Sequence, residues 1–222
     1  MLKYSLVIIL SLLITSTTFS HEAYIEQVGS NNKATQEQTN YHDAYIYQMG
    51  GSNTATQTQT GYNNYAYIEQ GTEIHLNFVM GLFLLQENRE IHRTQESKLN
   101  TANQVQSGTN NKAYSYQMGI KNNSDQTQKT GNYNEAYVIQ EGRYNQATQT
   151  QFPGSYSRIY LAQIGDHNVS SQSQYTDDNY AESYQIGIGN YLTQEQGIFG
   201  GSGYYSQIYT KGNYNEVYIY QY

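Results

Sequence analysis

The chain has 222 residues, with 37% hydrophobic and 13% charged residues and a net charge of −7. An acidic balance without a basic stripe excludes nucleic acid as a partner, and so small a share of charge excludes a charge-driven disordered tail. With no Cys, stability outside a cell would have to come without disulfides, and the single Pro leaves long strand ladders unbroken.

Residues 1–20 read as a secretory signal. Lys3 supplies the basic start, and Leu6 to Ile14 is an apolar run too short to span a bilayer. Thr18-Phe19-Ser20 offers small residues at −3 and −1 for cleavage. The mature chain then begins near His21, directly at a repeat region covering 21–222.

Each repeat unit contains two alternating runs. Asn64-Tyr65-Ala66-Tyr67-Ile68-Glu69-Gln70 exemplifies the first and Asn53-Thr54-Ala55-Thr56-Gln57-Thr58-Gln59 the second. Period-2 alternation places every second residue on one face of a strand. In the second run Asn, Ala or Ser, Gln and Gln recur on one face, which predicts the packed side, while Thr, Glu, Ser, Asp and Lys vary on the other. The same logic turns Ala44, Ile46 and Gln48 inward and Tyr45 and Tyr47 outward. Gly-containing arcs such as Val28-Gly29-Ser30-Asn31 and Thr130-Gly131-Asn132-Tyr133 separate the runs and have turn composition.

The units share a frame of Gln, four residues, Asn, five residues, Gln. It occurs in full seven times: Gln27, Asn32, Gln38; Gln48, Asn53, Gln59; Gln95, Asn100, Gln106; Gln117, Asn122, Gln128; Gln140, Asn145, Gln151; Gln163, Asn168, Gln174; and Gln185, Asn190, Gln196. Gln70 and Gln207 keep the phase without full partners. The nine leading glutamines are 21, 22, 25, 22, 23, 23, 22 and 22 residues apart. A fixed period of this size predicts a solenoid. The expected fold is all-β, a two-sheet parallel β-solenoid of about nine strand-turn-strand coils of ~22 residues.

A unit alone cannot bury its inner face, so stacking must supply the stability. An unpaired buried amide costs about 1–3 kcal/mol. The regular frame answers this if the glutamines and asparagines named above stack along the axis as inward amide ladders, a device of cross-β structure. Tyr24, Tyr45, Tyr67, Tyr114, Tyr137 and Tyr160 share one outward register and could form an aromatic ladder.

Residues 71–99 interrupt the pattern. An apolar stretch, Asn77-Phe78-Val79-Met80-Gly81-Leu82-Phe83-Leu84-Leu85, precedes the charged Glu87 to Arg93. This reads as a degenerate coil or loop insertion, or else as an apolar patch for a partner or membrane surface. The last unit keeps Gln207, followed by the alternating run Asn215 to Gln221. Neither end carries a capping helix, which suggests ends that pair with other copies.

Little else points to chemistry. His21, His42, His75, His92 and His167 lack metal-ligand spacing. Asp177-Asp178 reads as a solvated turn, and the sequons at Asn122 and Asn168 fall on inward positions. No nucleophile has a positioned base, so the expectation is no enzyme, no cofactor and no metal.

The frame, with Gly two residues after the leading Gln, closely resembles the curlin repeat of bacterial curli subunits. The resemblance covers nearly all of 21–222, and the version Asn-x-Ala-Tyr-Ile-x-Gln is similar to repeats of the minor, nucleating subunit. It implies a structural subunit of extracellular amyloid fibres in the biofilm matrix, serving adhesion and surface attachment. It further implies self-association, other curli-type subunits (a nucleator or a major subunit) as partners, and export through an outer-membrane secretion pore with periplasmic accessory proteins. The location would be a secreted cell-surface fibre of a Gram-negative-type bacterium. The alternative is a soluble β-solenoid that binds ice or another surface through the outward Thr54, Thr56, Thr58 and Thr60.

Overall fold

The computed structural model describes residues 14–15, 22–71, 97–198 and 200–222. Each alternating run forms a strand. After β1 (Ile14–Thr15), β2 (Ala23–Ser30) and β3 (Lys33–Gln38) make the first coil, β4 (His42–Gly51) and β5 (Thr54–Tyr62) the second, and β6 (Asn64–Gln70) and β7 (Thr101–Thr109) the third. β8 (Lys112–Ile120) with β9 (Asn123–Asn132), β10 (Glu135–Arg143) with β11 (Gln146–Gln151) and β12 (Arg158–Asp166) with β13 (Val169–Gln174) follow. β14 (Tyr180–Ile188) with β15 (Tyr191–Gln196) and β16 (Tyr205–Lys211) with β17 (Glu216–Gln221) complete the stack.

The even-numbered strands form an 8-stranded sheet and the odd-numbered ones a 9-stranded sheet that includes β1. All neighbours are parallel, with Gln140 opposite Gln117 and Gln163 and with Gln149 opposite Gln126 and Gln172. The fold is therefore an all-β, two-sheet parallel solenoid. Of the expected signal, the described part is β1, which pairs with Gln36–Glu37 on the outer edge of β3.

Among the described residues the stack has eight coils, one for each strand of the 8-stranded sheet, where the glutamine count predicts about nine. The difference arises in the third coil. Gln70 of β6 lies opposite both Gln48 and Gln117, and β7 is the second strand of that same coil. Gln95 lies outside the described residues. Lys98 bridges Gly51 on one side and Ile120 on the other, so it occupies the arc position of both. By that alignment Gly71 and Ser97 stand where Met49 and Gly50 are adjacent. Residues 72–96, outside the described residues, thus fall between two positions that adjoin in the other coils, and their number is close to one period, so the spacing counts a unit there.

Deleting 72–96 should join Gly71 to Ser97 with an arc of ordinary length. The expected result is a folded solenoid whose melting temperature moves by only a few degrees, as read by thermal unfolding followed by circular dichroism. Loss of the β signal would show that the insertion supports the stack.

The interior is thin. Small or aliphatic residues fill two inward columns of the first sheet: Ala44, Ala66, Ala113 and Ala136 are buried in one, and Ile46, Ile68, Val138 and Leu161 in the other. Ala34, Ala55, Ala102 and Ala147 face them from the second sheet. Small residues let the sheets approach closely enough for glutamine side chains to span the gap between them.

The arcs are laddered as well. Ser52, Lys121, Tyr144 and His167 hold left-handed φ of 57–58° immediately before the column asparagines. Non-glycine residues reach that region at a cost of about 1–2 kcal/mol each. Backbone bonds from each of these N–H groups to the preceding arc offset that cost, as in Ser52 to Ser30 O and Tyr144 to Ile120 O.

Candidate functional site

The most organised chemistry is the polar interior. In the first sheet, Gln27, Gln48, Gln70, Gln117, Gln140, Gln163 and Gln185 form one column. Each Nε2 donates to the next Oε1 over 2.6–2.9 Å. From Gln48 onward each Nε2 also donates across to the other sheet: Gln70 reaches Thr54 O at 3.1 Å and Gln140 reaches Asn123 O at 2.8 Å. In the second sheet Gln38, Gln59, Gln106, Gln128, Gln151, Gln174, Gln196 and Gln221 repeat the arrangement at 2.8–3.0 Å. Within the stack, from Gln48 to Gln163 and from Gln59 to Gln196, both protons and one lone pair of each amide are thus used, which offsets the desolvation penalty.

A third glutamine column was not singled out from the sequence. Gln36, Gln57, Gln104, Gln126, Gln149, Gln172 and Gln194 bond in the same direction over 2.9–3.1 Å. Its signal was the constant face of the second run, which carries two glutamines rather than one.

Asn32, Asn53, Asn100, Asn122, Asn145, Asn168 and Asn190 do stack, but their contacts differ from the glutamine pattern. Each Oδ1 accepts the backbone N–H of the next member, as in Asn145 N to Asn122 Oδ1 at 3.1 Å and Asn168 N to Asn145 Oδ1 at 3.0 Å. Each Nδ2 reaches an arc carbonyl of the next coil, such as Gly165 O from Asn145 at 2.7 Å. The shorter side chain caps the arc instead of pairing solely with its neighbour. Asn215 extends this column from Asn190.

A mirror column at the other bend was missed as a site. Asn64 N bonds His42 Nδ1, Asn111 N bonds Asn64 Oδ1, Asn134 N bonds Asn111 Oδ1, and Ser157 N bonds Asn134 Oδ1, all at 2.9–3.1 Å. The sequence signal was a polar residue six positions before each leading Gln. His42 works here as an asparagine substitute, with Nε2–H donating to Thr39 O at 2.7 Å.

One predicted ladder member needs correction and one lies outside the described residues. Gln95 is the latter, and Gln70 bonds directly to Gln117 at 2.8 Å. Gln207 is on the outer face, opposite Glu182 and donating to it at 3.0 Å, while Thr210 stands opposite Gln185. The arc before β16 sets an offset of 25 residues at the Asn179–Tyr204 bond, against 22 at Ser157–Asn179. An odd slip exchanges the faces of a strand.

The outer tyrosines share the expected register, yet their rings touch in a different order. Tyr114, Tyr137 and Tyr160 stack within it, with centroids 4.4 and 4.8 Å apart. Elsewhere contacts run diagonally, Tyr45 to Tyr65 at 5.6 Å and Tyr47 to Tyr67 at 5.5 Å, because tyrosines also occupy the adjacent outward positions. Phenols meet carboxylates along this face: Tyr67 donates to Glu69 at 2.9 Å and Tyr180 to Glu182 at 3.1 Å.

Burial, with Tyr65 a lesser contributor, pushes the Tyr114 phenol up to about 12 from 10.0. Burial and then the Glu135 carboxylate do the same to Tyr160, also up to about 12. The fold holds the neutral phenol, so its stabilisation is complete below pH 10 and declines as pH rises from about 10 toward 12. A spectrophotometric titration should show exposed tyrosines ionising first and the column lagging until the β signal is lost. Simultaneous ionisation of all tyrosines in the folded chain would contradict this.

The Thr row of the alternative reading does not persist. Thr35 and Thr56 are followed in register by Asn103, Asp125, Thr148, Ser171, Thr193 and Tyr218. Among the described residues no group of three or more His, Cys, Asp or Glu could hold a metal. Compared with known protein families, curated proteins and solved structures, the chain has no match.

Proposed function

We propose that this chain is a structural subunit of extracellular fibres of the curli type, polymerising by edge-to-edge stacking of β-coils. One observation carries the reading: every glutamine column runs donor to acceptor in the same direction through the stack. In the column from Gln38 to Gln221 the outermost coils therefore present opposite, complementary halves of the same bond. A contact between unlike ends repeats indefinitely unless the rotation closes it, and in-register parallel stacking is the geometry of cross-β fibres. The seven full frames that resemble curlin repeats support the same role and suggest secretion to the cell surface, biofilm adhesion and other curli-type subunits as partners.

The mature chain from His21 should form fibres that bind thioflavin and diffract along the axis at about 4.8 Å. Its own fragments should seed growth, and cross-seeding by a curli subunit would identify a fibre partner. A chain that stays monomeric for days at high concentration, with and without seeds, would overturn the proposal.

A further inference from the structure

The two outermost coils differ from each other, and their differences match. We infer that the joint between copies is head to tail, with β16 and β17 of one copy pairing in parallel with β2 and β3 of the next, Glu216 facing Lys33, Gln221 facing Gln38 and Thr210 facing Gln27. This rests on the fibre reading above and adds the register.

The register follows by carrying the observed pairings one coil further. β16 aligns with β14, and β17 with β15, through the same columns that align β2 with β4 and β3 with β5. Gln221 Nε2 is the outward end of its column, and Gln38 Oε1 is the opposite end of the same column. Thr210 Oγ1 is buried without a partner. Its hydroxyl, free to rotate, would donate to Gln27 Oε1 of the next copy, the acceptor at the far end. Asn215 Oδ1 would take the Asn32 N–H, as each asparagine does within the chain.

The outer faces agree. Glu216 and Lys33 are both exposed, and the register sets their opposite charges directly across from each other. Tyr209 falls opposite Glu26 and Tyr220 opposite Glu37, reproducing the phenol–carboxylate pairing that Tyr45 makes with Glu22. A contact between two last coils would instead bring donor to donor, and one between two first coils acceptor to acceptor.

One column is unmatched. Ile219 stands opposite Gln194 and would face Gln36 of the next copy. Gln194 Nε2 and Gln36 Oε1 are both buried with no partner, so one side chain interrupts a bond path at both of its ends. Ile219→Gln would complete it. β1 occupies the outer edge of β3 at Gln36–Glu37, and removal of the signal clears that edge for the joint.

The test uses fibres of the unsubstituted mature chain treated with a water-soluble carbodiimide. This reagent condenses a lysine amine with a carboxyl in direct contact, forming an amide while the water lost converts the reagent to its urea. Peptide mapping should find Lys33 joined to Glu216 in fibres and not in monomer, where the two lie in the first and last coils. In parallel, Ile219→Gln should lower the critical concentration for growth about tenfold. Fibres without the Lys33–Glu216 link, or an Ile219→Gln critical concentration that is unchanged or raised, would overturn the joint and leave the fibre reading standing. A failure of the unsubstituted chain to form fibres removes both.

Discussion

Gln140→Leu should cost the folded chain about 3–5 kcal/mol, a large effect for one near-isosteric change. Gln140 is fully buried. Its loss leaves three groups short of a bond: Gln117 Nε2, Gln163 Oε1 and Asn123 O. Leucine adds apolar contact, but each unsatisfied buried group costs about 1–3 kcal/mol. The triple variant Gln117→Leu, Gln140→Leu, Gln163→Leu distinguishes a ladder from independent pairs. It has the same kind of orphan at each flank, Gln70 Nε2 and Gln185 Oε1, and adds only two more stranded carbonyls. Its destabilisation should be less than twice that of the single change, measured by urea unfolding of the soluble chain. A threefold cost would mean that the rungs act separately. Fibre elongation should slow in the single variant, since the same register sets the growing edge.

Most of the architecture was legible because strand alternation and coil period are both written in residue type. An inward Gln, a Gly two residues later and an Asn after that define strand end, bend and restart. What failed to show follows from two limits of spacing. The 25-residue step from Gln70 to Gln95 is within the scatter of real coils, so the spacing counts Gln95 as opening a unit. Only the pairing of Gln70 with Gln117 shows those two to be neighbours. Gln207 fails for the opposite reason: its spacing is regular, but the longer arc before it shifts the strand by an odd number of residues. The mirror column from His42 to Asn179 escaped because His, Asn and Ser differ in name while each can accept the same backbone N–H.

Gly142→Ala should be among the most damaging small substitutions in the stack. The residue has φ +117°, a conformation that L side chains rarely adopt, and an added Cβ would lie 2.0 Å from Gly165 O in the next coil. Strand spacing of about 4.8 Å leaves no room to absorb that approach without separating the coils. Separation would break more than one column. Gly142 O accepts from Asn122 Nδ2, and Gly165 O, the atom struck, accepts from Asn145 Nδ2. The expected loss exceeds about 4 kcal/mol, above the range of ordinary point changes. Gly203→Ala is the matched control. It also has positive φ, +74°, but nothing lies within 4 Å of its added Cβ, so only the backbone penalty of about 1–2 kcal/mol applies. If Gly142→Ala and Gly203→Ala unfold at the same urea concentration, the close approach of coils at the glycine column does not limit the stack. If Gly142→Ala alone loses its β signal and its ability to extend wild-type seeds, the bend that turns each strand onto the next is fixed by backbone contact. The amide columns then act on a spacing the glycines have already set.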